Sequence, residues 1–149
     1  TSDFTVHDLR RYLVDYLARE HEHPEMIVRL TSFGFKYGLP LNADLVFDLR
    51  FLPNPHFVDE LRPLTGQDAP VSQYVLELAE AQELLSRLRS LLEYLIPNYA
   101  REGKAYLTVA LGCTGGRHRS VALVEKLAEL LGSSVEVVVS HRDIARAGS

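Results

Sequence analysis

The run Tyr106-Leu107-Thr108-Val109-Ala110-Leu111 leads directly into Gly112-Cys113-Thr114-Gly115-Gly116-Arg117-His118-Arg119-Ser120. Beyond it Val121, Leu123, Val124, Leu127, Leu130 and Leu131 recur at helical spacing, and Gly132 follows as a stop. The spacing therefore predicts a strand, a tight glycine-rich turn and a helix over His118 to Leu131. Such a unit requires a sheet for the strand and a covering layer for the helix.

The rest of the chain supplies both. Met26 to Phe33 reads as one strand and Ala43 to Arg50 as another, the latter buried on both faces near its centre. Val135 to Val139 is a fourth strand. Phe4 to Glu20 has apolar residues at helical spacing, and Ser2, Asp3 or Thr5 can cap it. The stripe Ala81, Leu84, Leu85, Leu88, Leu91, Leu92 and Leu95 predicts a long helix over Leu76 to Ile96, which Pro97 ends or kinks. Between them Pro53, Pro55, Pro63 and Pro70 mark a long connection without regular structure, and connections of that length are usually functional or disordered. Strands alternating with helices predict a small three-layer α/β fold with a mostly parallel central sheet. A length of 149 residues fits one such domain, 1–149, with 1–24 as linker and amino-terminal helix.

In sheets of this kind ligands gather at the carboxyl ends of strands. Lys36, Arg50, Cys113 and His141 all follow predicted strand ends. The loop after the third strand has the chemistry for an anion. Gly112, Gly115 and Gly116 let the backbone turn tightly and approach a ligand. The first amides of the next helix lack intrahelical partners and sit at the positive end of its dipole. Arg119 can add paired hydrogen bonds, and Thr114 and Ser120 can add hydroxyls.

The spacing Cys113-x5-Arg119, with Ser120 next, also fits the loop of cysteine phosphatases, where such surroundings activate a thiolate. Cys113 and Arg119 are then the catalytic pair, and Asp48, Asp59 and Asp68 are candidate general acids. The bland alternative is a tight turn with an inert, buried thiol. Asp48 and Arg50 share side-chain parity, so a plain ion pair competes with a ligand role. His56 either contacts ligand or steadies the proline-rich loop. His21-Glu22-His23 has no third matched metal ligand nearby, and a frayed helix end is the simpler reading.

Charge and cysteine usage narrow the function classes. The net charge of -4 argues against general attraction of nucleic acid. The average hides a division: Lys36, Arg50, Arg62, Arg117, Arg119 and Arg142 lie in or beside predicted loops, whereas Glu77, Glu80, Glu83 and Glu93 follow a predicted helix. A single cysteine forms no internal disulfide, which points to a reducing cytoplasm. No apolar run approaches the ~20 residues of a spanning helix.

Several long segments resemble the carboxy-terminal domain of the RNase adapter RapZ and its nucleotide-binding relatives. They are Ser32-Phe33-Gly34-Phe35-Lys36-Tyr37-Gly38-Leu39-Pro40, Phe47-Asp48-Leu49-Arg50-Phe51-Leu52-Pro53-Asn54-Pro55-His56, Leu61-Arg62-Pro63-Leu64-Thr65-Gly66, and Tyr106 through Ser120. The resemblance implies a non-catalytic module that senses an amino-sugar phosphate, glucosamine-6-phosphate, and presents small regulatory RNA to an endoribonuclease. It implies a ligand site of Lys36, Asp48, Arg50, His56, Cys113, Thr114, Gly115, Gly116, Arg117, His118, Arg119 and Ser120. RNA contacts are expected from Lys36, Arg117, Arg119 and Arg142, and a homo-oligomer is expected if part of the leucine stripe stays exposed. Members of the family usually carry an amino-terminal P-loop domain. This sequence has no Gly-x4-Gly-Lys-Ser/Thr, so no nucleotide cofactor is expected here, and Thr1-Ser2-Asp3 reads as the linker after that domain.

Overall fold

The structure, a computed structural model, describes residues 26–146. The expected helix over Phe4 to Glu20 and the His21-Glu22-His23 group lie outside them. Four strands form one sheet: β1 (Ile27–Gly34), β2 (Leu45–Asp48), β3 (Tyr106–Cys113) and β4 (Glu136–His141). Their spatial order is β2-β3-β1-β4 and every pairing is parallel, as the alternation of strands and helices predicts.

Helix α1 spans Ala69–Leu76, α2 spans Ala79–Arg101 and α3 spans Arg119–Leu131. α3 lies on β1, β3 and β4, and α1 and α2 pack against α3. The core forms where Val28 and Leu30 of β1 and Leu107, Val109 and Leu111 of β3 meet Leu123, Val124 and Leu127 of α3. Val71, Val75, Leu88, Leu92 and Ile96 close it from α1 and α2. No helix among the described residues is long and apolar enough to cross a membrane.

Three expectations need correction. The second strand is shorter than Ala43 to Arg50, and it is an edge strand rather than one buried on both faces: Val46 is 42% exposed. Its apolar residues alternate, so Leu45 and Phe47 pack on the core while Val46 faces outward. The long connection ends earlier than expected, because α1 begins at Ala69. Pro70 is a helix-starting residue in the first turn, where its missing N–H costs nothing, and Val71 and Val75 share the buried face. Finally, of the two outcomes expected at Pro97, an end or a kink, the end is excluded, because α2 continues to Arg101. Ile96 is buried, and Tyr99 and Ala100 pack against the core. That packing outweighs the ~3 kcal/mol a proline costs inside a helix.

The parallel register aligns the strand ends. Gly34 pairs with Cys113, Asp48 with Gly112 and Ser32 with His141, so four carboxyl ends converge on one rim. The 3-10 turn Phe35–Tyr37, the segment after Asp48, the loop 114–118 and the residues after His141 all leave from it.

Candidate functional site

The loop between β3 and α3 is the centre of this rim. Thr114 is exposed, whereas Gly115 and Gly116 are buried. Gly116 adopts φ +78°, a left-handed conformation that glycine enters without steric cost. α3 then begins with no side chain capping it at His118. The first-turn amides of a helix have no intrahelical partners, which makes such a start attractive to anions.

Arg119 is the best-defined side chain here. Only 3% of it is exposed. Its Nη1 donates to the carbonyls of Arg50, at 3.0 Å, and Leu52, at 2.8 Å, while Nη2 lies 3.4 Å from Thr114 Oγ1. Its Nε is buried without a hydrogen-bond partner in the structure. Cys113 offers the guanidinium only a weak sulfur acceptor, so Nε keeps capacity for a stronger one. Burial lowers the guanidinium's pKa from its ordinary value; Cys113 and then Asp48 pull against that shift. Arginine nevertheless stays charged in proteins.

Cys113 is 2% exposed, and its Sγ lies 3.1 Å from Ser120 Oγ. His118 is 4% exposed and its Nε2 lies 3.2 Å from the Arg62 carbonyl, which requires Nε2 to carry the proton. Burial pushes the imidazole below its ordinary pKa, opposed by the bond to Arg62 and reinforced by the charge of Arg117. The ring of His56 stands 6.5 Å from that of His118. The His56 backbone N–H donates to Asn54 Oδ1, and its carbonyl accepts from Arg62 Nε.

Asp48 and Arg50 form a two-pronged pair, Nε to Oδ1 at 2.9 Å and Nη2 to Oδ2 at 2.7 Å. The hydrogen bonds from Arg50 hold the Asp48 carboxyl below its usual range, and the Arg119 charge adds to this. Arg50 also stacks on the Phe35 ring, 3.9 Å from its centroid. Lys36 is exposed on the neighbouring 3-10 turn, and its backbone N–H donates to the Thr114 carbonyl at 3.2 Å. The fold thus brings Lys36, Asp48, Arg50, Thr114 and Arg119 onto one rim. Arg117 Nη2 reaches the Pro63 carbonyl, 3.3 Å away on the proline-rich loop.

Arg142 sits on the other side of β1. It stacks over Phe33 and bonds to Asp143 and to the carbonyls of Gly34 and Gly38. His141 bridges Ser32 Oγ, 2.7 Å away, and Glu125 Oε2, 2.6 Å away. Sequence reasoning assigned no part to Ser32, Asp143 or the carbonyls of Arg50 and Leu52. A carbonyl acceptor leaves no trace in residue type, and Asp143 beside Arg142 reads as surface charge. No group of three or more His, Cys, Asp or Glu among the described residues is placed to hold a metal ion.

The sequence model of a family described as the RapZ C-terminal domain matches residues 26–145. A nucleotide-binding protein of Streptomyces coelicolor is 55% identical over 147 residues, covering 98% of this chain and 49% of the relative. One from Bacillus licheniformis is 51% identical over 146 residues, covering 98% and 49%. One from Geobacter metallireducens is 51% identical over 147 residues, covering 98% and 52%. The chain spans about half the length of these curated relatives.

Proposed function

The chain belongs to the RapZ C-terminal domain family, and from that premise we propose that it is a non-catalytic sensor of an amino-sugar phosphate, glucosamine-6-phosphate, that presents small regulatory RNA to an endoribonuclease. The observation that carries the anion half is Arg119: a buried guanidinium with an unmet Nε, fixed by two backbone carbonyls beside an uncapped helix start. In this reading the phosphate takes the loop amides from Thr114 to Gly116, the first-turn amides of α3 and the Arg119 guanidinium. Lys36 adds charge from the next strand end. Asp48 accepts hydrogen bonds from the sugar's amine or hydroxyls, with Arg50 holding the carboxylate ionised. Gly115 and Gly116 permit the close approach, and His56 and His118 line the side toward the proline-rich loop. RNA phosphates meet Lys36, Arg117, Arg119 and Arg142 at the rim. The chain works in the cytoplasm as a homo-oligomer.

Calorimetric titration with glucosamine-6-phosphate, beside Arg119→Ala, tests the anion half. Saturable heat lost in the variant supports it, and no heat at millimolar ligand removes it. The RNA half requires affinity that falls as salt rises, because phosphate contacts release counterions. Salt-independent affinity, or none, removes that half. The 3.1 Å approach of Cys113 Sγ to Ser120 Oγ favours one second reading, a cysteine phosphatase. Sustained heat of turnover that disappears in Cys113→Ser would replace the sensor with that enzyme.

A further inference from the structure

We infer that Asp143 is a positioning residue for the anion loop: through Gly34 and Gly116 it fixes where the loop amides stand, without touching the anion. This rests on the reading of the loop as an anion site.

The Asp143 side chain is fully buried, yet it lies just beyond β4, away from Cys113 in sequence. Four donors from three residues satisfy it, among them Arg142 Nε, 3.1 Å from each oxygen. Oδ2 accepts from the Gly34 amide at 2.8 Å and from Arg142 Nη2 at 2.8 Å; Oδ1 accepts from Arg146 Nε at 2.8 Å. Burial raises the carboxyl's pKa, but Arg142, the Gly34 amide and Arg146 outweigh it and leave the group below its usual range. The site is built for a carboxylate anion.

The Gly34 amide is also where the loop rests. A side-chain carbon on Gly116 would stand 2.6 Å from Gly34 N and 3.0 Å from Asp143 Cβ. One on Gly34 would stand 2.5 Å from the Gly115 carbonyl carbon. Asp143, Gly34 and the Gly115–Gly116 peptide are thus stacked with no spare room. Arg142 extends the clamp: its Nη2 bonds to the Gly38 carbonyl at 2.6 Å. The Lys36 turn therefore hangs between Arg142 on one side and the Thr114 carbonyl on the other. A loose Gly34 would let both the loop amides and Lys36 shift, and misplacement on the order of 1 Å is enough to weaken an oriented site.

Asp143→Asn keeps the size and removes the charge, so one oxygen must serve what two now share. Amide hydrogen exchange by NMR and calorimetric titration with glucosamine-6-phosphate and inorganic phosphate test the inference on the same chain. In Asp143→Asn, exchange is expected to accelerate at Gly34, Gly115 and Gly116 at least tenfold more than at Leu88 and Leu92 of α2. Affinity for both anions is expected to fall at least tenfold. Arg142→Gln, which leaves the carboxylate in place, gives a smaller effect at the same amides and serves if Asp143→Asn does not fold. Exchange that is unchanged in the loop, or raised equally in α2, overturns the inference, because Asp143 would then only support the fold. If the unaltered chain binds neither anion, the sensor reading fails, while the exchange pattern still decides whether Asp143 sets the loop.

Discussion

Gly34 lies against the peptide of Gly115 so closely that a side-chain carbon on Gly34 would stand 2.5 Å from the Gly115 carbonyl carbon. The obstacle is backbone, which cannot rotate away as a side chain can. Gly34→Ala therefore forces β1 and the anion loop apart, at an expected cost of about 3 kcal/mol. Gly38→Ala is the contrast: its φ of +91° imposes conformational strain, but nothing lies within 4 Å. It should cost about 1–2 kcal/mol, from backbone conformation alone. Urea unfolding of both variants checks the difference, and equal losses would contradict the close packing.

Arg119→Lys keeps a positive charge but cannot reproduce the planar fork that spans the Arg50 and Leu52 carbonyls. Those carbonyls lose donors in a buried place. An affinity loss for glucosamine-6-phosphate of at least tenfold is expected, close to that of Arg119→Ala. Near-normal binding by the lysine variant would show that charge alone suffices.

The depressed pKa of His118 makes stability depend on pH. The folded state favours the neutral ring, held by burial, so the unfolded chain binds a proton first as pH falls. The contribution is complete above the unfolded value of about 6.5 and is lost as pH falls toward and through the lower folded value. His118→Gln retains an N–H for the Arg62 carbonyl and removes this titration. Unfolding midpoints measured between pH 7.5 and 5 should fall more steeply for the unaltered chain than for the variant.

On α2, Leu92 is fully buried and Leu91 is 40% exposed. Leu92→Ala should cost about 2–5 kcal/mol, the range for emptying a core leucine site. Leu91→Ala should cost about 1 kcal/mol or less, because much of its surface already meets solvent. Denaturant unfolding compares the two. A large loss at Leu91 would place a packing partner on that face.

The places where sequence reading stopped short share one cause. The period of Tyr106 to Leu111 and of Val121 to Leu131 is local, and β3 and α3 lie where it places them. Val71 and Val75 carry the same kind of signal, but Pro70 masked it, since proline marks a loop or a helix start according to its position. Val46 read as core because an apolar residue in a strand is buried only if something covers its face, and the sheet face it shares with Val138 is exposed.

The sequence by itself determined the strand-loop-helix unit, the α/β class, the alignment of Lys36, Arg50, Cys113 and His141 with strand ends, and the residues of the Cys113 loop. Those depend on hydrophobic period and glycine content, which act over a few neighbouring residues. Tertiary structure alone decided strand order, and with it which distant groups meet. It set the Arg50 and Leu52 carbonyls on Arg119, Arg62 on His118, and Asp143 beneath Gly34 and Gly116. Such contacts join residues 27 to 109 positions apart, and their partners include backbone atoms that every residue carries. They exist only once the core around Leu30, Val109 and Leu123 has closed and fixed the sheet's register.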